Sequence, residues 1–113
     1  MKEGESKKNR RFLDMALGVA LTSKCRFKHG AVVVKHGRVL SASPNVMKNN
    51  PKYVNPKYCS IHAEVRALRI ARFPKRATVF VARVNNLGEA RLSKPCAGCQ
   101  SLIDELNCKV VFT

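Results

Sequence analysis

Two short stretches of the sequence carry residue types that can do chemistry together. One is His62-Ala63-Glu64 and the other is Pro95-Cys96-Ala97-Gly98-Cys99. Each falls at the start of an expected helix. A Cys-x-x-Cys at a helix start brings both sulfurs near one point, and the positive end of the helix favours thiolate over thiol. One imidazole and two thiolates suit zinc, and a catalytic zinc leaves its fourth position to water. The metal lowers the pKa of such a water toward ~7. Glu64 is then a nearby carboxylate that is not a ligand, able to take a proton from the water and pass it to a leaving amine. His62, Cys96 and Cys99 read as metal ligands, and Glu64 as the proton carrier of a hydrolytic centre.

Two other readings stand beside this one. A Cys-x-x-Cys also serves redox chemistry, but here it lacks the thioredoxin-like βαβ context. It can also be half of a closed structural zinc site, which needs a fourth ligand that Cys25, Cys59 or Cys108 could supply. The five cysteines are an odd count, which argues against a closed disulfide framework. Outside the close pair they read as small buried hydrophobes or bystanders.

The positioning elements follow from periodicity. Residues 1 to 8 read as a loose basic leader and 9 to 113 as a single domain. From about Asn9 to Leu21 the residues Phe12, Leu13, Ala16, Leu17, Ala20 and Leu21 recur at three- and four-residue spacing, the mark of an amphipathic helix. His29 to Lys35 contains Ala31-Val32-Val33-Val34, a run typical of a buried strand. His36-Gly37 turns the chain into a second strand, Arg38 to Ala42. Residues 43 to 60 form a long irregular loop with Pro44, Pro51 and Pro56. Loops of that length are usually functional. A helix is expected from Ile61 to Phe73, ended by Pro74, then a strand from Ala77 to Val84. A loop from Asn85 to Lys94 leads to a helix from Pro95 to about Leu106, and Lys109 to Phe112 is a last strand. The antiparallel first hairpin and the later strand-helix-strand unit, which demands a parallel pair, make a mixed α/β sheet with helices on its faces.

Bulk properties narrow the setting. A chain of 113 residues, 45% hydrophobic, can build one packed core without staples. No apolar run approaches the ~20 residues of a membrane span. No apolar stretch precedes Phe12, so the start does not read as a secretory signal, and a cytoplasmic location is expected. The net charge of +15 points to a polyanion, either nucleic acid or phosphorylated small molecules, unless it is a solubility trait. Lys7, Lys8, Arg10 and Arg11 form one basic group, and Arg66, Arg69, Arg72, Lys75 and Arg76 form another with no acid between them. Aromatics make up only 6%, which weakens the case for a dedicated single-strand binder, although Phe27, Tyr53 and Tyr58 lie in or near expected pocket loops.

The sequence from about Phe12 to Thr113 resembles the cytidine deaminase-like superfamily. His-x-Glu with Pro-Cys-x-x-Cys is the signature of zinc deaminases acting on nucleobases. Ser60-Ile61-His62-Ala63-Glu64-Val65-Arg66-Ala67-Leu68 is similar to the metal helix of deoxycytidylate, tRNA adenosine and riboflavin-pathway deaminases, and Lys94-Pro95-Cys96-Ala97-Gly98-Cys99 to their second metal motif. His29-Gly30-Ala31-Val32-Val33-Val34 resembles the first strand, whose Gly-Ala part lines the base pocket, and Asn107-Cys108-Lys109-Val110-Val111-Phe112 the strand after the second metal helix.

The resemblance implies a three-layer α-β-α fold with parallel later strands, a Zn2+ cofactor, and release of ammonia from a cytosine-, adenine- or guanine-type base. By match, Asn45 contacts sugar or base. The Ala63 and Cys96 backbones bind the base edge or the oxygen at the metal, and Gly30 and Ala31 line the pocket. Lys94 stands where tRNA adenosine deaminases have Glu before Pro-Cys, and Ser93-Lys94-Pro95-Cys96 is nearer the Ser-x-Pro-Cys of cytosine deaminases. Many relatives continue beyond the position of Thr113, so a minimal member or a pocket completed in a homo-oligomer is expected. The expected substrate is a cytosine nucleoside or nucleotide. Alternatives are a deaminase of cytosine or adenosine in single-stranded DNA or RNA, and a non-catalytic zinc-stabilised nucleic-acid-binding module, against which Glu64 speaks.

Overall fold

Strand alternation organises the molecule. In the computed structural model, which describes residues 7–46 and 62–113, Ala31 and Val33 face one side of a sheet and Val32 and Val34 the other. The first six leader residues and most of the long loop, with Tyr53, Tyr58 and Cys59, lie outside the described residues. The elements are α1 (Lys7–Leu21), β1 (Lys28–Lys35), β2 (Arg38–Pro44), α2 (Ala63–Ile70), β3 (Thr78–Val84), β4 (Ala90–Arg91), α3 (Ala97–Glu105) and β5 (Lys109–Phe112).

The sheet is mixed. β1 pairs antiparallel with β2 on one edge and with β3 on the other. The far edge of β3 is shared. β5 runs parallel along Thr78 to Val81, and β4 pairs antiparallel at Arg83 and Val84. The two-residue β4 lies inside the stretch expected to be loop. It is too short to show a periodic pattern. The hairpin turn has left-handed φ at both His36 (52°) and Gly37 (74°), the backbone that matches the twist of paired strands.

Helices cover both faces. Phe12, Leu13 and Ala16 of α1 pack on Val32, Val34, Phe80 and Ala82. On the opposite face Ala63, Ala67 and Leu68 of α2 and Ile103 of α3 pack on Ala31, Val33, Val79 and Val81. The second helix is shorter than expected, ending at Ile70 rather than Phe73. Pro74 disfavours helical backbone in the residue before it. Arg72 and Phe73 swing to left-handed φ of 64° and 51°, and the Phe73 N–H closes the helix end on the Leu68 carbonyl at 2.8 Å. Cys25 is buried like a small hydrophobe but is also disulfide-bonded, which the odd cysteine count did not suggest.

Gly30 sets the distance between α1 and the sheet. A Cβ there would stand 2.3 Å from the Ala16 carbonyl oxygen and 2.4 Å from the Ala20 nitrogen. Both are helix backbone and cannot rotate away. Gly30→Ala is expected to cost about 3 kcal/mol, the upper range for overpacking, and to lower Tm by about 10 °C or more. Gly18 is the matched control. Nothing lies within 4 Å of its added Cβ, so Gly18→Ala should raise stability by up to about 1 kcal/mol through helix propensity. Thermal denaturation of the two variants checks both signs, and equal Tm values would contradict the packing role.

Candidate active site

The site is built where α2 and α3 begin. His62 is the N-cap of α2 and Cys96 the N-cap of α3, and neither side chain caps its own helix. Both are therefore available to a common point. The His62 Nδ1 lies 3.2 Å from Cys99 Sγ and 3.5 Å from Cys96 Sγ, and the three donor atoms lie within 4.8 Å of one another. Tetrahedral zinc with ordinary bond lengths separates nitrogen from sulfur by about 3.6 Å and sulfur from sulfur by about 3.8 Å. The residues present fit the metal in donor chemistry and in spacing.

The electrostatics of the cluster point the same way. Cys99 is 3% exposed. Burial pushes its thiol far above the ordinary range, and the neighbouring Glu64 carboxylate and Cys96 push it further. A divalent cation among the donors reverses that balance, because its charge favours thiolate. Glu64 is itself buried at 5% exposure and lies against Cys99 without belonging to the three-donor cluster.

A cavity of about 330 Å³ opens beside the cluster, walled by His62, Ala63, Glu64 and Cys96. The size falls in the range of small-molecule sites. The ends of β1 and β3 supply His29 and Arg83, which are direct cross-strand partners on one face. Burial holds the His29 imidazole below its ordinary pKa, with Arg83 and then His62 adding to the effect. The remaining wall comes from Phe27, Asn45, Ser93 and Lys94. Phe27 is 43% exposed, and the guanidinium carbons of Arg26 and Arg83 lie 5.7 and 5.6 Å from its ring centre.

Asn45 is both wall and clamp. Its Oδ1 accepts from the Ser23 hydroxyl at 2.6 Å and from the His29 N–H at 3.0 Å, while Nδ2 donates to the Phe27 carbonyl at 2.7 Å. One of the two amide hydrogens is left for a ligand. Ser93, 3% exposed, donates to the Val81 carbonyl at 2.8 Å, and its N–H donates to the Thr113 carbonyl at 2.9 Å. These bonds fix the approach to Lys94, Pro95 and Cys96.

Of the residues singled out from the sequence, His62, Ala63, Glu64, Asn45, Phe27 and Cys96 line one cavity, with Cys99 directly behind them. Gly30 and Ala31 do not line it. Gly30 faces α1, and Ala31 is fully buried under α2 and α3. Pro95 precedes α3 rather than opening it, since the helix starts at Ala97. For a structural fourth ligand, Cys25 is disulfide-bonded, Cys108 donates to the Pro74 carbonyl away from the cluster, and Cys59 lies outside the described residues. His29, Arg83, Ser93 and Lys94 are the wall residues that the sequence reading did not place in the site. Extending the alternation of Ala31 and Val33 back to His29 would have found the first.

Fold and site together define an α/β protein with a three-donor metal centre at two converging helix starts. The chain belongs to the family described as the cytidine and deoxycytidylate deaminase zinc-binding region, whose profile matches residues 6–113. No curated protein sequence matches it significantly. Among solved structures it is similar to the dCMP deaminase of cyanophage S-TIM5 in apo form, at TM-score 0.74 and 23% identity over 99% of this chain and 84% of that one. The same phage enzyme in complex with dCMP and dUMP aligns at TM-score 0.74 and 20% identity, covering 97% and 83%. A mutant cytidine deaminase from Mycobacterium tuberculosis aligns at TM-score 0.57 and 21% identity, covering 92% and 83%. Among the described residues no helix is long and apolar enough to cross a membrane.

Proposed function

We propose that this protein is a zinc-dependent hydrolytic deaminase that converts cytosine to uracil in a cytidine or deoxycytidine nucleotide. The observation that carries the reading is the His62, Cys96 and Cys99 cluster with buried Glu64 on the wall of one cavity. Zinc held by the three donors supplies, when bound, a water acidic enough to lose a proton near neutral pH. Glu64 takes the two protons of the attacking water in turn, delivering one to N3 of the base and one to the exocyclic amine. The water oxygen becomes the new carbonyl at C4, the C4–N4 bond breaks, and ammonia leaves. Ala63 stands in the first turn of α2, where backbone N–H groups lack helical partners, and offers one to the base edge. The remaining Asn45 amide hydrogen serves the sugar, and the Phe27 ring covers the mouth.

The preference for a nucleotide over a nucleoside rests on Arg83 and Lys94. Both are on the cavity wall, and neither has an ion-pair partner among the described residues. They are suited to a phosphate. The phage dCMP deaminase of like fold was solved with dCMP and dUMP, which supports the same substrate class here. Replacing Arg83 and Lys94 by Ala is expected to raise KM for dCMP about 10-fold or more, the loss of charge-assisted hydrogen bonds, and to leave KM for deoxycytidine nearly unchanged. Steady-state kinetics on the pair of substrates reads this directly. Equal effects on both would remove the phosphate role. The net charge of +15 favours a second reading, in which cytosine or adenosine is deaminated within a single-stranded polynucleotide. Conversion of an oligonucleotide would mark it.

A further inference from the structure

The strand registers collect the basic residues of several elements at one end of the sheet, away from the cavity. β1 ends beside the start of β3, with Val34 opposite Thr78, and β5 also starts there, with Lys109 opposite Thr78. The hairpin pairs Lys35 with Arg38 at the same end. α2 runs from the cluster toward this end and leaves Arg69 on its last turn. The connection into β3 then adds Arg72, Lys75 and Arg76, all exposed. α1 lies with Phe12 on Phe80 and Ala20 on Gly30, so exposed Arg10 and Arg11 on its early turns also point to this end.

The acids here are few. Asp14 follows on α1, and Asp104 and Glu105 close α3. The one ion pair among the described residues is Arg91 with Glu89, on and beside β4. The cations of this pole are therefore not neutralised internally. Apolar side chains stand among them, Ile70 at 50% and Phe73 at 43% exposure, with Val39 and Leu40 exposed after Arg38. The connection that carries Phe73 is pinned, because the Phe73 N–H bonds the Leu68 carbonyl at 2.8 Å and the Arg76 N–H bonds the Leu106 carbonyl at 3.0 Å.

We infer that this cationic pole is a binding surface for single-stranded nucleic acid, separate from the catalytic cavity. Arginine predominates, and its planar fork matches phosphate oxygens. Phe73, exposed on a backbone pinned beside Arg72, offers a face on which a base can stack. A lipid surface would call for a broad continuous apolar face, whereas these side chains are interleaved in the sequence with Arg38, Arg69 and Arg72. The run of β3 from Thr78 to Arg83, at ~3.3 Å per residue, puts the pole about 17 Å from the His29 and Arg83 row. A strand seated there leaves the cavity open. The pole thus tethers the protein to a polynucleotide without making that polynucleotide its substrate.

The test uses the full zinc-loaded chain and a fluorescent oligo-uridine strand, which has no cytosine to deaminate. If about four phosphates are neutralised, affinity should fall about 50-fold between about 50 and about 200 mM salt. The variant Arg38→Glu/Arg69→Glu/Lys75→Glu should lose at least about 10-fold in affinity at the lower salt. A control with the same change in charge at the other end, Lys24→Glu/Lys28→Glu/Arg91→Glu, should lose less than about 3-fold. Circular dichroism shows that both remain folded. Saturating dCMP should not compete, and Glu64→Ala should bind like the parent, so failure of the proposed reaction would leave this result standing. Equal losses in the two charge variants would reduce the effect to net charge and overturn the pole. So would competition by dCMP, or tighter binding to phosphatidylserine vesicles than to the strand.

Discussion

Glu64→Ala should lose at least about 10²-fold in turnover, the minimum for a general acid-base residue, while keeping its fold and its zinc. No other carboxylate lines the cavity among the described residues. The nearest alternative proton carrier, His29, is held below its ordinary pKa by burial, Arg83 and His62. His29 stands at the strand end beside Arg83 and not against Cys99, so it is not placed to take over the role. Metal retention follows from the donor set, His62, Cys96 and Cys99, to which Glu64 does not belong. The checks are kcat, zinc per chain by elemental analysis, and circular dichroism. A variant that lost its zinc would make Glu64 a ligand and the site a different kind.

Cys96→Ala/Cys99→Ala should take zinc from about one per chain to almost none. The double change removes both sulfurs and leaves one imidazole. Among the described residues the cluster holds no further donor, and a single histidine does not retain zinc through purification. Cys108→Ala is the control. Its sulfur donates to the Pro74 carbonyl at 3.4 Å, near the far end of the sheet, so its loss should leave zinc content unchanged. Full zinc in the double variant would reject the assignment, and loss of zinc in the control would bring a fourth ligand back into consideration.

The parts of this site that were legible in the sequence are those whose chemistry is local. His62 and Glu64 on one helix start, and Cys96 and Cys99 on another, declare themselves by type and spacing. The run Ala31 to Val34 declares a buried strand. The rest depends on pairing across the fold. His29 and Arg83 become neighbours only through the β1–β3 register, which no local pattern states. The family-like motif around Gly30 implies a pocket residue. Strand parity instead sets it with Val32 and Val34 on the α1 face, where its missing Cβ lets the helix approach. Asn45 looks like a loop residue until Ser23, His29 and Phe27 are seen to share its amide. The basic residues are visible in the sequence as a count and two clusters, but their gathering at one pole appears only once the strand ends are aligned.

The most direct test of the central claim is to give the zinc-loaded chain dCMP and follow ammonia and dUMP together. The two should appear in equal amounts, removing zinc with a chelator should stop both, and restoring zinc should recover them. Zinc-loaded, folded protein that releases no ammonia from dCMP, or from any other cytosine nucleotide or nucleoside, would contradict that claim.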